Sequence, residues 1–212
     1  MDWYRQTAWT SEIADEFERR LARSRGQRSE YLRVQALTLA DQNSPKLASI
    51  AINLAKRQLE LSPVGISAAQ MWAVIAKACI TLGQQDDVVA AYRQAIRLEA
   101  NRPNVRGYHY IDFAWYVALN SAVALYPEVL AAVEENLQER DLIFPANQYR
   151  FFGALALIAA DSGNSAEANR MARSAISAAK SQQGPFWRRP FLGLLKDSSS
   201  DPIRVKLEKL AS

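Results

Sequence analysis

Two segments of the chain, eighty residues apart, carry the same plan of large and small side chains. From Trp72, the residues at offsets three, four and seven are Ile75, Ala76 and Cys79. Gly83 follows at eleven, then Val88, Tyr92 and Ala95 at sixteen, twenty and twenty-three. From Phe152, the same offsets give Leu155, Ala156, Ala159, Gly163, Ala168, Ala172 and Ala175. Spacings of three, four and seven mark one face of a helix. A glycine after three turns permits a sharp reversal, and a second periodic segment follows it. Each copy therefore predicts a helical hairpin. The small residues at Ala76 and Ala156 let its two helices approach, and Trp72 and Phe152 fill the space beside them.

The rest of the chain is punctuated in the same manner. Prolines and glycines fall between apolar-periodic segments, where a proline suits a first helical turn and a glycine suits a helix end. The pattern predicts eleven helices. The first runs from about Ser11 to Arg25, with Ile13, Phe17 and Leu21 on one face, and the second from about Arg28 to Ala40. The third opens with Ser44 as cap and Pro45 at its first position. Others are expected at about Ser67–Gly83 and Asp86–Glu99, and, after a loop from Asn101 to Gly107, at Tyr108–Leu125 and Pro127–Asp141. Asn147–Asp161 and Ser165–Ser181 come next, then Phe186–Lys196 and a last helix capped by Asp201 with Ile203, Leu207 and Leu210 as its stripe. No segment shows the alternation of a half-buried strand. The short loops make consecutive helices antiparallel neighbours.

This spacing resembles the tetratricopeptide repeat, whose period is 34 residues. A looser copy precedes the two: Leu32, Gln35, Ala36 and Leu39 lead to Ala48, Ile52 and Ala55, with Ser44-Pro45 in place of the glycine turn. Residues 108–141 form a fourth hairpin whose phase the pattern does not fix. The resemblance implies an all-α fold, a right-handed superhelical array of about four antiparallel hairpins. It reads the chain as a single TPR-like domain over 1–212. Residues 1–28 form an N-terminal cap, 29–181 the repeat hairpins, and 182–212 C-terminal capping helices. End units of such an array must cover an otherwise exposed apolar face. The aromatic start (Trp3, Tyr4, Trp9) and the segment Phe186-Trp187 with Phe191 and Leu192 are candidates for that task.

The search for chemistry finds none. The lone histidine, His109, and the lone cysteine, Cys79, cannot build a zinc cluster or a triad between them. Cys79 occupies a small-residue position of the repeat and reads as a core thiol. No glycine-rich phosphate loop or EF-hand pattern is present. The chain is read as non-enzymatic, with no cofactor and no metal. One cysteine precludes an internal disulfide, and Met1-Asp2-Trp3-Tyr4-Arg5 is no signal peptide, so a cytoplasmic location is expected. The longest apolar stretch, Gly153 to Ala160, is too short to span a bilayer.

Net charge is +4, from 19 Arg and 7 Lys against 22 acids. The arginines cluster at Arg19, Arg20, Arg23, Arg25, Arg28 and Arg33, behind Glu12, Asp15, Glu16 and Glu18. That order complements a helix dipole and offers pairs such as Asp15 with Arg19 and Glu16 with Arg20.

Members of the family that this chain resembles bind peptides or proteins in a groove lined by the first helix of each hairpin. Carried onto this sequence, the groove positions are Glu30, Arg33 and Leu37, then Gln70, Ala73 and Lys77, then Arg150, Gly153 and Leu157. Tyr116 and Asn120 are candidates in the fourth hairpin. Arg33, Lys77 and Arg150 make the expected partner an acidic protein or peptide. The function expected is that of a protein–protein interaction module: an adaptor, a chaperone-like binder, or an inhibitor of the immunity type that neutralises a partner enzyme. The last rests on analogy of size and lack of chemistry. The alternatives are an RNA-binding helical array using the arginine-rich first hairpin, and a structural homo-oligomer joined through the aromatic termini.

Overall fold

Short polar side chains and prolines start the helices where the sequence places them. In a computed structural model, which describes residues 2–100, 107–195 and 201–212, α1 (Ser11–Arg23) begins after Thr10, whose hydroxyl accepts from the Ile13 amide at 3.3 Å. Next come α2 (Arg28–Ala40) and α3 (Pro45–Leu61), the latter with Pro45 in its first turn. Ser44 occupies the cap position of α3, but its side chain makes no capping bond. Then follow α4 (Ile66–Leu82), α5 (Gln85–Ala100), α6 (His109–Leu119) and α7 (Tyr126–Asn136). Last are α8 (Pro145–Asp161), α9 (Ser165–Ala179) and α10 (Pro202–Ala211), with Asn164 capping α9 and Asp201 capping α10. The described residues hold no strand, so the chain is all-helical. The expected loop from Asn101 lies outside the described residues except for Gly107.

The chain divides into two compact units, Met1–His109 and Tyr110–Ser212. In the first, α2 packs on α3 and α4 on α5 as hairpins, and α2 lies beside α4. Alanines make this close approach feasible: Ala36, Ala51, Ala55, Ala76 and Ala95 are fully buried. The aromatic start folds back onto α1 and α2. Trp3 packs its ring 5.4 Å from Phe17 and 4.7 Å from Tyr31, and Trp9 lies 5.3 Å from Phe17. The buried amide of Gln35 fastens this segment like a strand partner. It accepts from the Gln6 N–H at 2.9 Å and donates to the Gln6 carbonyl at 2.7 Å. Trp72 departs from expectation: it is only half-buried and borders a cleft.

In the second unit, α8 and α9 form the tightest hairpin, and α10 packs along α9 and touches α8. Leu207 of α10 is fully buried, and the Leu210 and Ala211 carbonyls accept from Asn169 at 3.0 Å and Arg173 at 3.1 Å. Phe152, like Trp72, is half-buried, and its neighbour Phe151 enters the core instead.

Two expected helices are shorter than the sequence pattern indicates, and one is absent. The helix expected over Tyr108–Leu125 ends at Leu119. Its end is a Schellman turn: the Ala122 N–H donates to Val117 O at 3.1 Å and the Ser121 N–H to Ala118 O at 3.2 Å. Ser121 takes the left-handed conformation, φ 46°, which glycine adopts in the equivalent turns after α4 and α8, where Gly83 has φ 71° and Gly163 φ 76°. The helix expected over Pro127–Asp141 stops at Asn136, and a separate 3-10 turn covers Glu139–Leu142. Its Asp141 carboxylate accepts from the Gln138 N–H at 3.1 Å and from the Tyr110 hydroxyl at 2.8 Å. The expected helix from Phe186 to Lys196 does not form; residues 186–195 make turns, and Lys196 lies outside the described residues. Pro190 explains this, since mid-helix it would lack a donor and clash with the carbonyl of Phe186.

Candidate functional site

The family resemblance places candidate contact residues on the first helix of each hairpin, and the two units position them by one rule. In the first unit, α2 and α4 lie side by side. The Arg33 guanidinium donates to Gln70 Oε1 at 2.6 Å and, through Nε, to Glu30 Oε2 at 2.7 Å. Farther along the same face, Lys77 Nζ meets Asp41 Oδ1 at 2.6 Å. Arg33, Gln70 and Lys77 therefore share one surface, with Glu30 and Asp41 among them. Ala73 and Leu37 are half-buried there. The Glu30 carboxyl is held below the usual range by the Arg33 guanidinium bonded to it. Arg33 is correspondingly held above its ordinary value by that hydrogen bond.

In the second unit, Arg150 of α8 meets Asp112 of α6 at 2.8 Å. Trp115, one turn on, packs against Gly153 so closely that an added Cβ would stand 2.7 Å from the indole Cζ3 and 3.2 Å from Leu207 Cδ1. The indole also lies 5.6 Å from the Tyr149 ring. These contacts fix the phase that the sequence left open: Asp112 and Trp115 face α8. The bridging residues are 37, 36 and 38 positions apart in the three pairs, Arg33–Gln70, Asp41–Lys77 and Asp112–Arg150. That near-constant separation is the signal by which Asp41 and Asp112 could have been found in the sequence.

Several expected positions serve other ends. Gly153 and Leu157 are buried, because Trp115 and Leu207 cover the α8 face that would have been open. The chain's own last helix thus closes that face. Tyr116 is half-buried, and Asn120 folds back to donate to the Tyr116 carbonyl at 2.8 Å, closing the end of α6. Each basic member of the candidate set, Arg33, Lys77 and Arg150, already meets a carboxylate. In the first unit that face alternates in charge.

Four arginines of the cluster, Arg19, Arg20, Arg28 and Arg33, are similarly engaged. Arg19 and Arg20 both bond Glu16, so Arg19 takes Glu16 where Asp15 was expected. Arg28 donates to the carbonyls of Leu21, Ala22 and Ser24 and so terminates α1. Arg57 of α3 clamps Glu18 at 2.9 Å through its second nitrogen.

The lone histidine and the lone cysteine are enclosed. His109 is buried, with neither ring nitrogen hydrogen-bonded among the described residues, and its ring packs on Gly107. Cys79 is buried, and burial pushes its thiol above the ordinary value, so it stays protonated and weakly nucleophilic. Among the described residues, no group of three His, Cys, Asp or Glu side chains is placed to hold a metal ion. No described helix is long and apolar enough to cross a membrane.

The segment expected as a helix at 186–196, with Phe186, Trp187, Phe191 and Leu192 as candidates for covering an apolar face, forms exposed turns over residues 186–195. Gly193, with φ 78°, packs on the Phe144 ring, and its carbonyl accepts from the Ala146 N–H at 2.8 Å. The Gly184 N–H bonds the Pro190 carbonyl at 2.6 Å. The turns so pinned leave Trp187 83% and Phe191 80% exposed, with Arg188 4.7 Å over the Trp187 ring. Compared with known proteins, the chain matches no family model, no curated protein and no solved structure.

Proposed function

We propose that the protein is a non-catalytic interaction module, built from divergent tetratricopeptide-like hairpins, that binds a partner protein or peptide. The observation that carries this reading is the recurrent pairing of first helices: α2 with α4, and α6 with α8, bridged by polar residues one repeat apart. In a superhelical array, such a row of first helices lines the concave surface. On the first unit this face presents Glu30, Arg33, Gln70, Lys77 and Asp41. A partner segment there must offer charges of both signs, exchanging its own carboxylates and cations for the exposed pairs. Exposed ion pairs stabilise by only about 0–1 kcal/mol each, so they yield readily to a partner.

The exposed aromatic turn supports the same class of function. Large exposed apolar side chains accompanied by arginine are the composition of interface hot spots. An RNA-binding role for the Arg19–Arg33 stretch is weaker, because Arg19, Arg20, Arg28 and Arg33 are engaged with carboxylates or helix-terminal carbonyls.

The test is affinity capture of the tagged protein from its native host at moderate salt, with protein and nucleic acid both quantified. A stoichiometric protein that survives nuclease treatment, and is lost with Arg33→Glu/Lys77→Glu or with Trp187→Ala/Phe191→Ala, supports the proposal. Competition by partner-derived peptides would then identify an adaptor, and resistance to them a neutraliser of a folded domain. Co-purifying RNA without a protein would overturn the reading.

A further inference from the structure

We propose that the cleft between α3, α4 and α5 binds a small zwitterion with a large apolar body, of which a free aromatic amino acid is the simplest member. The cleft measures about 470 Å³, within the range of small-molecule sites, about 300–1,000 Å³. Its walls are mainly apolar, with Ile52 from α3 and Trp72, Ile75, Cys79 and Leu82 from α4, and Ser49 and Gln84 add polar groups. Two charges of opposite sign border it, Lys56 on α3 and Asp87 in the first turn of α5. Both are exposed, and neither enters a salt bridge or a side-chain hydrogen bond among the described residues. This sets the cleft apart from the candidate face of the first unit, where Arg33 and Lys77 each meet a carboxylate.

Lys56, Asp87 and Cys79 line the same cleft; burial raises the Cys79 thiol first, Asp87 adds to the rise and Lys56 opposes it. The half-buried indole of Trp72 lines the cleft and stacks on no other ring among the described residues, so an aromatic guest can pair with it. A guest with its ring on Trp72 and Ile75 would set its carboxylate toward Lys56 and its ammonium toward Asp87. A neutral apolar molecule would leave both charges unanswered, and a simple acid or amine would leave one.

The cleft is independent of the groove. At about 100° per residue, Gln70, Ala73 and Lys77 point to one side of α4, and Trp72, Ile75, Cys79 and Leu82 to the other. Occupation of the cleft can therefore fail while the interaction surface stands, and the reverse.

Binding is read by calorimetric titration of the full-length protein with L-tryptophan, tryptamine, indole-3-propionate and N-acetyl-L-tryptophanamide, because the buried Cys79 thiol is a poor reporter. L-Tryptophan should bind about tenfold more tightly than N-acetyl-L-tryptophanamide, which carries neither charge. Lys56→Met should weaken L-tryptophan about threefold and leave tryptamine unchanged. Asp87→Asn should weaken L-tryptophan to a like degree and leave indole-3-propionate unchanged. Both side chains are exposed, so neither change threatens the fold. Absence of binding heat at about 10 mM L-tryptophan, equal affinity for N-acetyl-L-tryptophanamide, or indifference to both substitutions would each overturn the proposal.

Discussion

Gly153→Ala sets a gain in helix propensity against a steric cost at the point where α6, α8 and α10 converge. Mid-helix, alanine is favoured over glycine by about 0.5–1 kcal/mol. Against this, the new methyl would lie 2.7 Å from Trp115 Cζ3 and 3.2 Å from Leu207 Cδ1, where carbon pairs settle at about 3.5–4.0 Å. Leu207 can yield, since the contact is with the end of a flexible chain. The Trp115 indole yields less easily, because it is packed beside Tyr149. Forcing an extra methyl into such a site costs about 1–3 kcal/mol, so the steric term wins and a net loss of about 1 kcal/mol is expected. Urea unfolding followed by near-UV circular dichroism would measure it, with m-values compared for wild type and variant. Trp115→Leu removes the obstructing ring, so the alanine should cost about 1 kcal/mol less in that background. A Gly153→Ala protein more stable than wild type, or strict additivity with Trp115→Leu, would refute the packing argument.

Other expectations follow from single groups. The buried Glu99 carboxylate accepts from the backbone N–H groups of Gly107, Tyr108 and His109. Glu99→Ala should destabilise by about 3 kcal/mol, near 1 kcal/mol for each donor left without an acceptor, whereas Glu99→Gln should recover part of the loss in the same urea titration. Ser121→Gly should stabilise by about 0.5–1 kcal/mol, since glycine bears the left-handed conformation without strain; a thermal midpoint that falls would contradict this. The Tyr126 hydroxyl donates to Asp161 Oδ2 at 2.5 Å. That bond lowers the Asp161 carboxyl, and burial, with Asp161 second, pushes Tyr126 up to about 12. The Asp161 contribution is present above the unfolded value of about 3.9 and lost as pH falls through the lower folded value. The Tyr126 contribution is present below about 10 and lost as pH rises through about 12. Tyr126→Phe should therefore flatten both limbs of the stability–pH curve, and ultraviolet titration should lose one late-titrating phenol while Tyr149, pushed to about 12 by burial, remains.

Periodicity in the sequence determined most helices by itself, because it records which face of each must leave water. The cores of α2, α3, α4, α5, α8 and α9 follow from apolar and small residues at three- and four-residue spacing. The turns at Gly83 and Gly163 follow from a conformation that glycine adopts freely. Proline and Asp201 starts were equally legible, since they act within one turn of the chain. Ser121 was not, because a serine is driven into the left-handed conformation only by surroundings that hold it there. The Phe186–Lys196 segment has a helical apolar pattern, and Pro190 and the docking of Gly193 on Phe144 overrode it. At the candidate site, the sequence placed Arg33, Gln70 and Lys77 on one face but could not show that Glu30 and Asp41 already answer their charges. Nor could it show that Leu207 closes over Gly153, or that Lys56 and Asp87 border one cleft from different helices. Local propensity acts over a few residues and is written in sequence order. Charge pairing and burial act across space, between residues that only the packing of helices brings together.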